Sequence, residues 1–139
     1  MEDEGEYLRL SKLFYATDAV LSPLPEEFHK NIFKEICRSS AYLEAFLFSF
    51  AGEIAGYGLV SKRFSTEGGL ECWVEDLFVL PEFRGKGIGG AFLDFVKKRY
   101  STNRFRLEVE EENHRAVALY RKHGFEFLSY RQMICDAGN

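Results

Sequence analysis

Residues 74–100, VEDLFVLPEFRGKGIGGAFLDFVKKRY, pass from an apolar, strand-like run through a proline and four closely spaced glycines into a helix. Pro81 cannot donate to a strand ladder and stops the run. After the glycines, Ile88, Ala91, Phe92, Phe95 and Val96 fall at i, i+3, i+4, i+7 and i+8, the buried stripe of an amphipathic helix. A glycine-rich turn between strand and helix lets backbone N–H groups converge, and the helix N-terminus adds partial positive charge. Such a turn suits phosphate oxygens. Arg84 and Lys86 strengthen the preference. The run is not a Walker loop, because no GK[ST] ends it. The plainer reading is a tight turn whose glycines only permit positive φ.

Working outward, AYLEAFLFSF and EIAGYGLVSK (41–50 and 53–62) are aromatic or β-branched runs separated by Ala51-Gly52, which predicts a hairpin. Before them lie two helical segments. YLRLSKLFYA spaces Leu10, Leu13 and Phe14 helically, and PEEFHKNIFKEICR opens on Pro25 and two acids with Phe28, Ile32 and Ile36 at intervals of four. Downstream, RFRLEVE alternates Phe105, Leu107 and Val109 as a strand. Asn113 then reads as an N-cap and Gly124 as a helix stop, with a last strand expected in FEFLSYRQMIC. The predicted order α, α, β, β, β, α, β, α, β describes an α/β or α+β layered sheet.

The 139 residues, 46% hydrophobic and 16% aromatic, suffice for one core, and neither repeats nor a linker divides them. A single domain over residues 1–139 is expected. A net charge of -4 argues against a dedicated nucleic-acid or anionic-membrane surface and favours cationic partners. Cys37, Cys72 and Cys135 have no metal-ligand spacing and read as reduced, packed thiols of a cytoplasmic protein. His29, His114 and His123 share no ligand pattern either, so they read as solvated or capping and no metal is implied.

The central stretch resembles a motif of the GNAT superfamily of acetyl-CoA-dependent N-acetyltransferases, Q/R-x-x-G-x-G/A, matched by Arg84, Gly87 and Gly89. NHRAVALYRKHGF, residues 113–125, is similar to the second motif of that superfamily. The resemblance spans roughly residues 42–134. It implies a mixed, mostly antiparallel central sheet with helices on both faces, and acetyl-CoA as co-substrate. On that basis the loop of Gly85, Lys86, Gly87, Ile88, Gly89 and Gly90 would hold the pyrophosphate, with Arg84 shaping it. The strand end at Leu77, Phe78 and Val79 would splay from the strand at 105–109 and receive the pantetheine arm. Asn113 would touch the pantetheine end, a role compatible with capping.

An amine must lose a proton before it attacks a thioester. Glu75 is the candidate base: strand alternation groups it with Trp73 and Leu77 on one face and sends Asp76 to the other, unless a bulge intervenes. The resemblance makes Tyr120 the candidate acid toward the departing sulfur; otherwise it is a packing aromatic. The expected reaction is direct acetyl transfer, in a ternary complex, to a primary amine of a small cationic molecule. WVEDLFV looks like the matching strand of the diamine and polyamine acetyltransferase branch. The alternatives are a protein or peptide amine, or a non-catalytic acyl-CoA-binding module. One departure from the family pattern is that no strand precedes the first helix, an edge that a second copy of the chain could cover.

Overall fold

The computed structural model describes residues 3–138. Met1, Glu2 and Asn139, the ends of the expected domain, lie outside the described residues. Two helices open the chain, α1 (Glu4–Tyr15) and α2 (Glu26–Arg38). Four strands follow in the order β1 (Leu43–Phe50), β2 (Glu53–Ser65), β3 (Gly69–Val79) and, after α3 (Ile88–Arg99), β4 (Arg104–Leu107). Helix α4 (His114–Lys122) comes last. The sheet runs β1-β2-β3-β4, with two antiparallel pairings and a parallel one between β3 and β4. This is the expected mixed, mostly antiparallel sheet. No strand precedes α1 among the described residues.

The β1–β2 turn places Ala51 (φ 50) and Gly52 (φ 81) both in the left-handed region, the primed geometry that matches strand twist. The sheet then separates two cores. Tyr7, Leu10, Phe33, Tyr57, Leu59 and Phe78 pack between the sheet and α1–α2. Val60, Cys72, Val74, Phe92, Leu93 and Val96 pack under α3. Each fully buried aliphatic side chain in these layers contributes about 1.5–3 kcal/mol. A Cβ on Gly58 would sit 2.3 Å from the Phe92 ring, so only glycine lets α3 approach β2 this closely. That approach fixes where the N-terminus of α3 meets the end of β3.

The expected final strand is not formed. Residues 125–138 adopt neither helix nor strand, and Phe127, Leu128, Tyr130, Met133 and Ile134 are exposed. The segment has the alternation of a strand but pairs with none of the four strands, although the outer edge of β4 is open. Strand β4 is also shorter than expected, ending at Leu107. Of the cysteines, Cys72 is buried as expected, whereas Cys37 and Cys135 are exposed. His29 is buried rather than solvated, with its ring 5.5 Å from that of Tyr15.

Candidate functional site

Strands β3 and β4 pair only from Glu71↔Arg104 to Val74↔Leu107. Beyond that row they part, and the fork leaves the outer edge of Leu77–Val79 without a strand neighbour. A cavity of about 760 Å³ opens there. Its walls come from the β3 end, the turn from Phe83 to Gly90, the end of α1 with Thr17 and Asp18, and the N-terminal half of α4.

The turn is built by its glycines. Gly85 and Gly87 both have φ 78, where a side chain is strained, and Gly87 caps α3 without a side-chain hydrogen bond. The first-turn amides of Ile88, Gly89 and Gly90 therefore lack an intrahelical acceptor. Ala91 N is the first to be satisfied within the helix, by Gly87 O at 2.9 Å. Arg84 Nε donates to the Val79 carbonyl at 3.0 Å and ties the turn to the strand end. A cavity of this size, with helix-start amides that lack intrahelical acceptors at a positive helix end, suits a phosphate-bearing ligand.

Leu77, Phe78, Val79, Arg84, Gly85, Gly87, Ile88, Gly89, Gly90, Asn113 and Tyr120 all line this cavity. Lys86 does not; its ammonium lies 5.5 Å from the Phe50 ring. Asn113 Oδ1 accepts from Ala116 N at 3.3 Å, so the residue caps α4 and lines the cavity together. Burial pushes the Tyr120 phenol up to about 12, which keeps it protonated and able to donate.

Glu75 does not line the cavity either, and its surroundings differ from those read in the alternation. The β2–β3 register shifts between Leu59↔Asp76 and Val60↔Val74, so Glu75 occupies a bulge. Leu77 packs on the α3 side, while Asp76 turns toward α1 and α2. The expected grouping of Glu75 with Leu77 and the expected segregation of Asp76 are thereby corrected, while Glu75 stays on the face of Trp73, since it bonds Ser61, the cross-strand partner of Trp73. Glu75 is exposed and accepts from Ser61 Oγ at 2.5 Å.

Asp76 is the residue the sequence hid. It is 4% exposed, and its two oxygens accept from Tyr15 at 2.9 Å and Tyr57 at 2.8 Å. Burial pushes its carboxyl up to about 6 in spite of these two donors. The clasp holds the end of α1, and with it Thr17 and Asp18, against the bulged strand. Glu110, Glu112 and Arg115 also line the cavity from the far side. In the sequence these acids belong to the run EVEEEN, residues 108–113, which does not by itself say that they face the fork.

Among the described residues no group of three or more His, Cys, Asp or Glu is placed to hold a metal ion. No helix among them is long and apolar enough to cross a membrane.

Comparison with known proteins identifies the family and the fold. The sequence model described as the acetyltransferase (GNAT) family matches residues 9–125. Thialysine N-epsilon-acetyltransferase of Mus musculus is 35% identical over 79 residues, covering 55% of this chain and 46% of that protein. Spermine/spermidine N(1)-acetyltransferase of Bacillus subtilis (strain 168) is 27% identical over 85 residues, covering 56% of each. The chain thus spans about half the length of the curated relatives it matches. An integron cassette protein from the mobile metagenome of Cole Harbour Salt Marsh superposes with a TM-score of 0.78 at 28% identity, over 98% of this chain and 85% of that one. An aminoglycoside N-acetyltransferase solved with CoA gives a TM-score of 0.79 at 19% identity, over 97% and 89%, a likeness of fold.

Proposed function

Because the chain belongs to the acetyltransferase (GNAT) family, we propose that it transfers an acetyl group from acetyl-CoA to the primary amine of a small molecule, by direct attack in a ternary complex. The observation that carries this reading is the fork after Val74 and Leu107, floored by the amides of Ile88, Gly89 and Gly90. Backbone of Leu77–Val79 receives the pantetheine arm, the turn holds the pyrophosphate, and acetyl-CoA supplies the activated acetyl group. Glu75, on the bulge just past the last paired row, takes the amine proton through water. Tyr120, held protonated by burial, donates toward the departing sulfur. The relatives' names, thialysine N-epsilon- and spermine/spermidine N(1)-acetyltransferase, support a small amine as acceptor.

The remaining expectations belong to the same reading: a cytoplasmic protein without a nucleic-acid or membrane partner, consistent with a net charge of -4, and a homodimer formed through the unpaired sheet edges, of which β1 and β4 are the outer strands.

The test is coenzyme A thiol release from acetyl-CoA with polyamines, amino acids, aminoglycosides and peptide amines, in wild type, Glu75→Gln and Tyr120→Phe. One acceptor class is expected to respond, and each variant to lose about 10²–10⁴-fold in kcat with acetyl-CoA binding retained. An unchanged Glu75→Gln rate overturns its role as base. Acetyl-CoA binding without thiol release across the panel overturns turnover and leaves a binding module.

A further inference from the structure

Helix α4 lies between two hollows. Ala116 and Leu119 line the cavity at the fork, Val117 and Arg121 line a second cavity of about 670 Å³, and Tyr120 lines both. No residue of α4 is fully buried, although Ala116, Val117, Leu119 and Tyr120 give it an apolar side. Protein interiors leave few voids larger than a water molecule. Side chains that flank such spaces forgo dispersion contacts that an apolar ligand would restore. The transfer step above uses the first cavity and leaves the second without a role.

Phe105 and Leu107 of β4, Val109 beyond its end, Val117 of α4, and Phe125 and Leu128 of the segment that follows give the second cavity its apolar lining. The cations around it, Lys97, Arg104, Arg106 and Arg121, outnumber Glu108 and Glu126 and so disfavour a cationic amine there. Nor are they held free for an anion. Lys97 donates to the His123 carbonyl, Arg121 lies 5.4 Å from the Phe127 ring, and Arg104 and Arg106 lie 3.8 and 3.5 Å from Glu71. A neutral alkyl chain is the occupant this lining fits.

Tyr120 joins the two spaces. Its ring meets that of Phe125, a wall of the second cavity, at 6.0 Å, and among the described residues no hydrogen bond holds its hydroxyl. A ring held by packing alone turns aside without breaking a polar contact. In the transfer reading that hydroxyl donates to the departing sulfur. The acyl carbon is bonded to the same sulfur, so the chain it carries begins beside Tyr120, with one side chain between it and the apolar lining.

Resting on the acetyl-transfer reading, we infer that the donor range extends from acetyl-CoA to linear acyl-CoA thioesters of medium chain length, the alkyl tail passing beside Tyr120 into the second cavity. The chemistry is that of acetyl transfer. The amine nitrogen bonds the acyl carbon as the carbon–sulfur bond breaks, and the amine proton ends on the coenzyme A thiol. Each methylene that enters the cavity should tighten the donor about fourfold.

The experiment measures binding of acetyl-, butyryl- and hexanoyl-CoA by calorimetry, and thiol release from each with the acceptor class that responds in the panel above. Wild type is expected to bind hexanoyl-CoA at least tenfold more tightly than acetyl-CoA, with butyryl-CoA between, and to transfer all three acyl groups. Val117 belongs to neither core, so Val117→Phe fills the second cavity without disturbing them. That variant should bring the affinity ratio near one and leave kcat/KM for acetyl-CoA within twofold of wild type. Val117→Leu, a smaller plug, should fall between, and thermal midpoints establish that both variants fold. Three results overturn the inference while leaving acetyl transfer intact: affinity that does not rise with chain length, hexanoyl-CoA bound but not transferred, or a chain-length dependence that neither variant alters. If no donor releases thiol, the transfer reading fails, and binding decides the tail site separately. The chain-length dependence must then be present in wild type and absent in Val117→Phe, or the site is overturned too.

Discussion

The Tyr57 hydroxyl donates to Asp76 Oδ2 at 2.8 Å across the β2–β3 pair, within the sheet face that α1 and α2 cover. Tyr15 donates to the other oxygen, so a buried carboxyl with both oxygens engaged links a helix end to the bulge beside the fork. The acid rises from 3.8 to about 6 because burial opposes its charge more than the two phenols favour it. A folded value above the unfolded one gives stability that is complete below about 3.8 and is lost as pH rises through about 6, of order 3 kcal/mol. Subtracting the unfolding free energy of Asp76→Asn from that of wild type, by urea titration between pH 3.5 and 7, should give a difference that declines across this window. A flat difference rules out the shift.

That clasp was invisible in the sequence for a definite reason. Its partners stand 61 and 19 residues from Asp76, and only the fold brings them together. The bulge is hidden as well, since WVEDLF alternates acceptably with Glu75 and Asp76 on opposite faces. By contrast, the Asn113 cap and the glycine turn are local patterns, written within a few residues, and each appears where it was expected, whereas α3 forms as expected but buries Phe92, Leu93 and Val96 and leaves Ala91 and Phe95 of the expected stripe exposed. The segment from Phe125 marks the opposite limit. Period-two alternation says what a strand would bury, but it does not say whether the segment pairs, and here it leaves the outer edge of β4 open.

Gly87→Ala isolates the backbone of the turn. A Cβ there meets nothing within 4 Å, so the penalty is the left-handed φ of 78 alone, about 1–2 kcal/mol. Relief of that strain rotates the amides at the start of α3 away from the cavity. The expected result is a modest fall in the denaturation midpoint with acetyl-CoA affinity reduced at least tenfold in calorimetry. Full affinity in a destabilised variant would show that the turn amides do not carry the phosphates.

The open edge of β4 lies beside a second cavity, of about 670 Å³, lined by Phe105, Leu107, Phe125, Phe127 and Leu128. Past it, Met133 and Ile134 are two adjacent apolar residues that stay 96% and 86% exposed. A second copy would supply both what the edge lacks, a strand to pair with, and what these side chains lack, a surface to cover them. Light scattering should therefore give a mass near twice 16.1 kDa at micromolar concentration. Met133→Lys combined with Ile134→Lys should return the monomer mass without lowering the thermal midpoint of the monomeric fold, because neither side chain belongs to either core. A monomer in the wild type, at every concentration measured, defeats the pairing and leaves the segment as solvated chain.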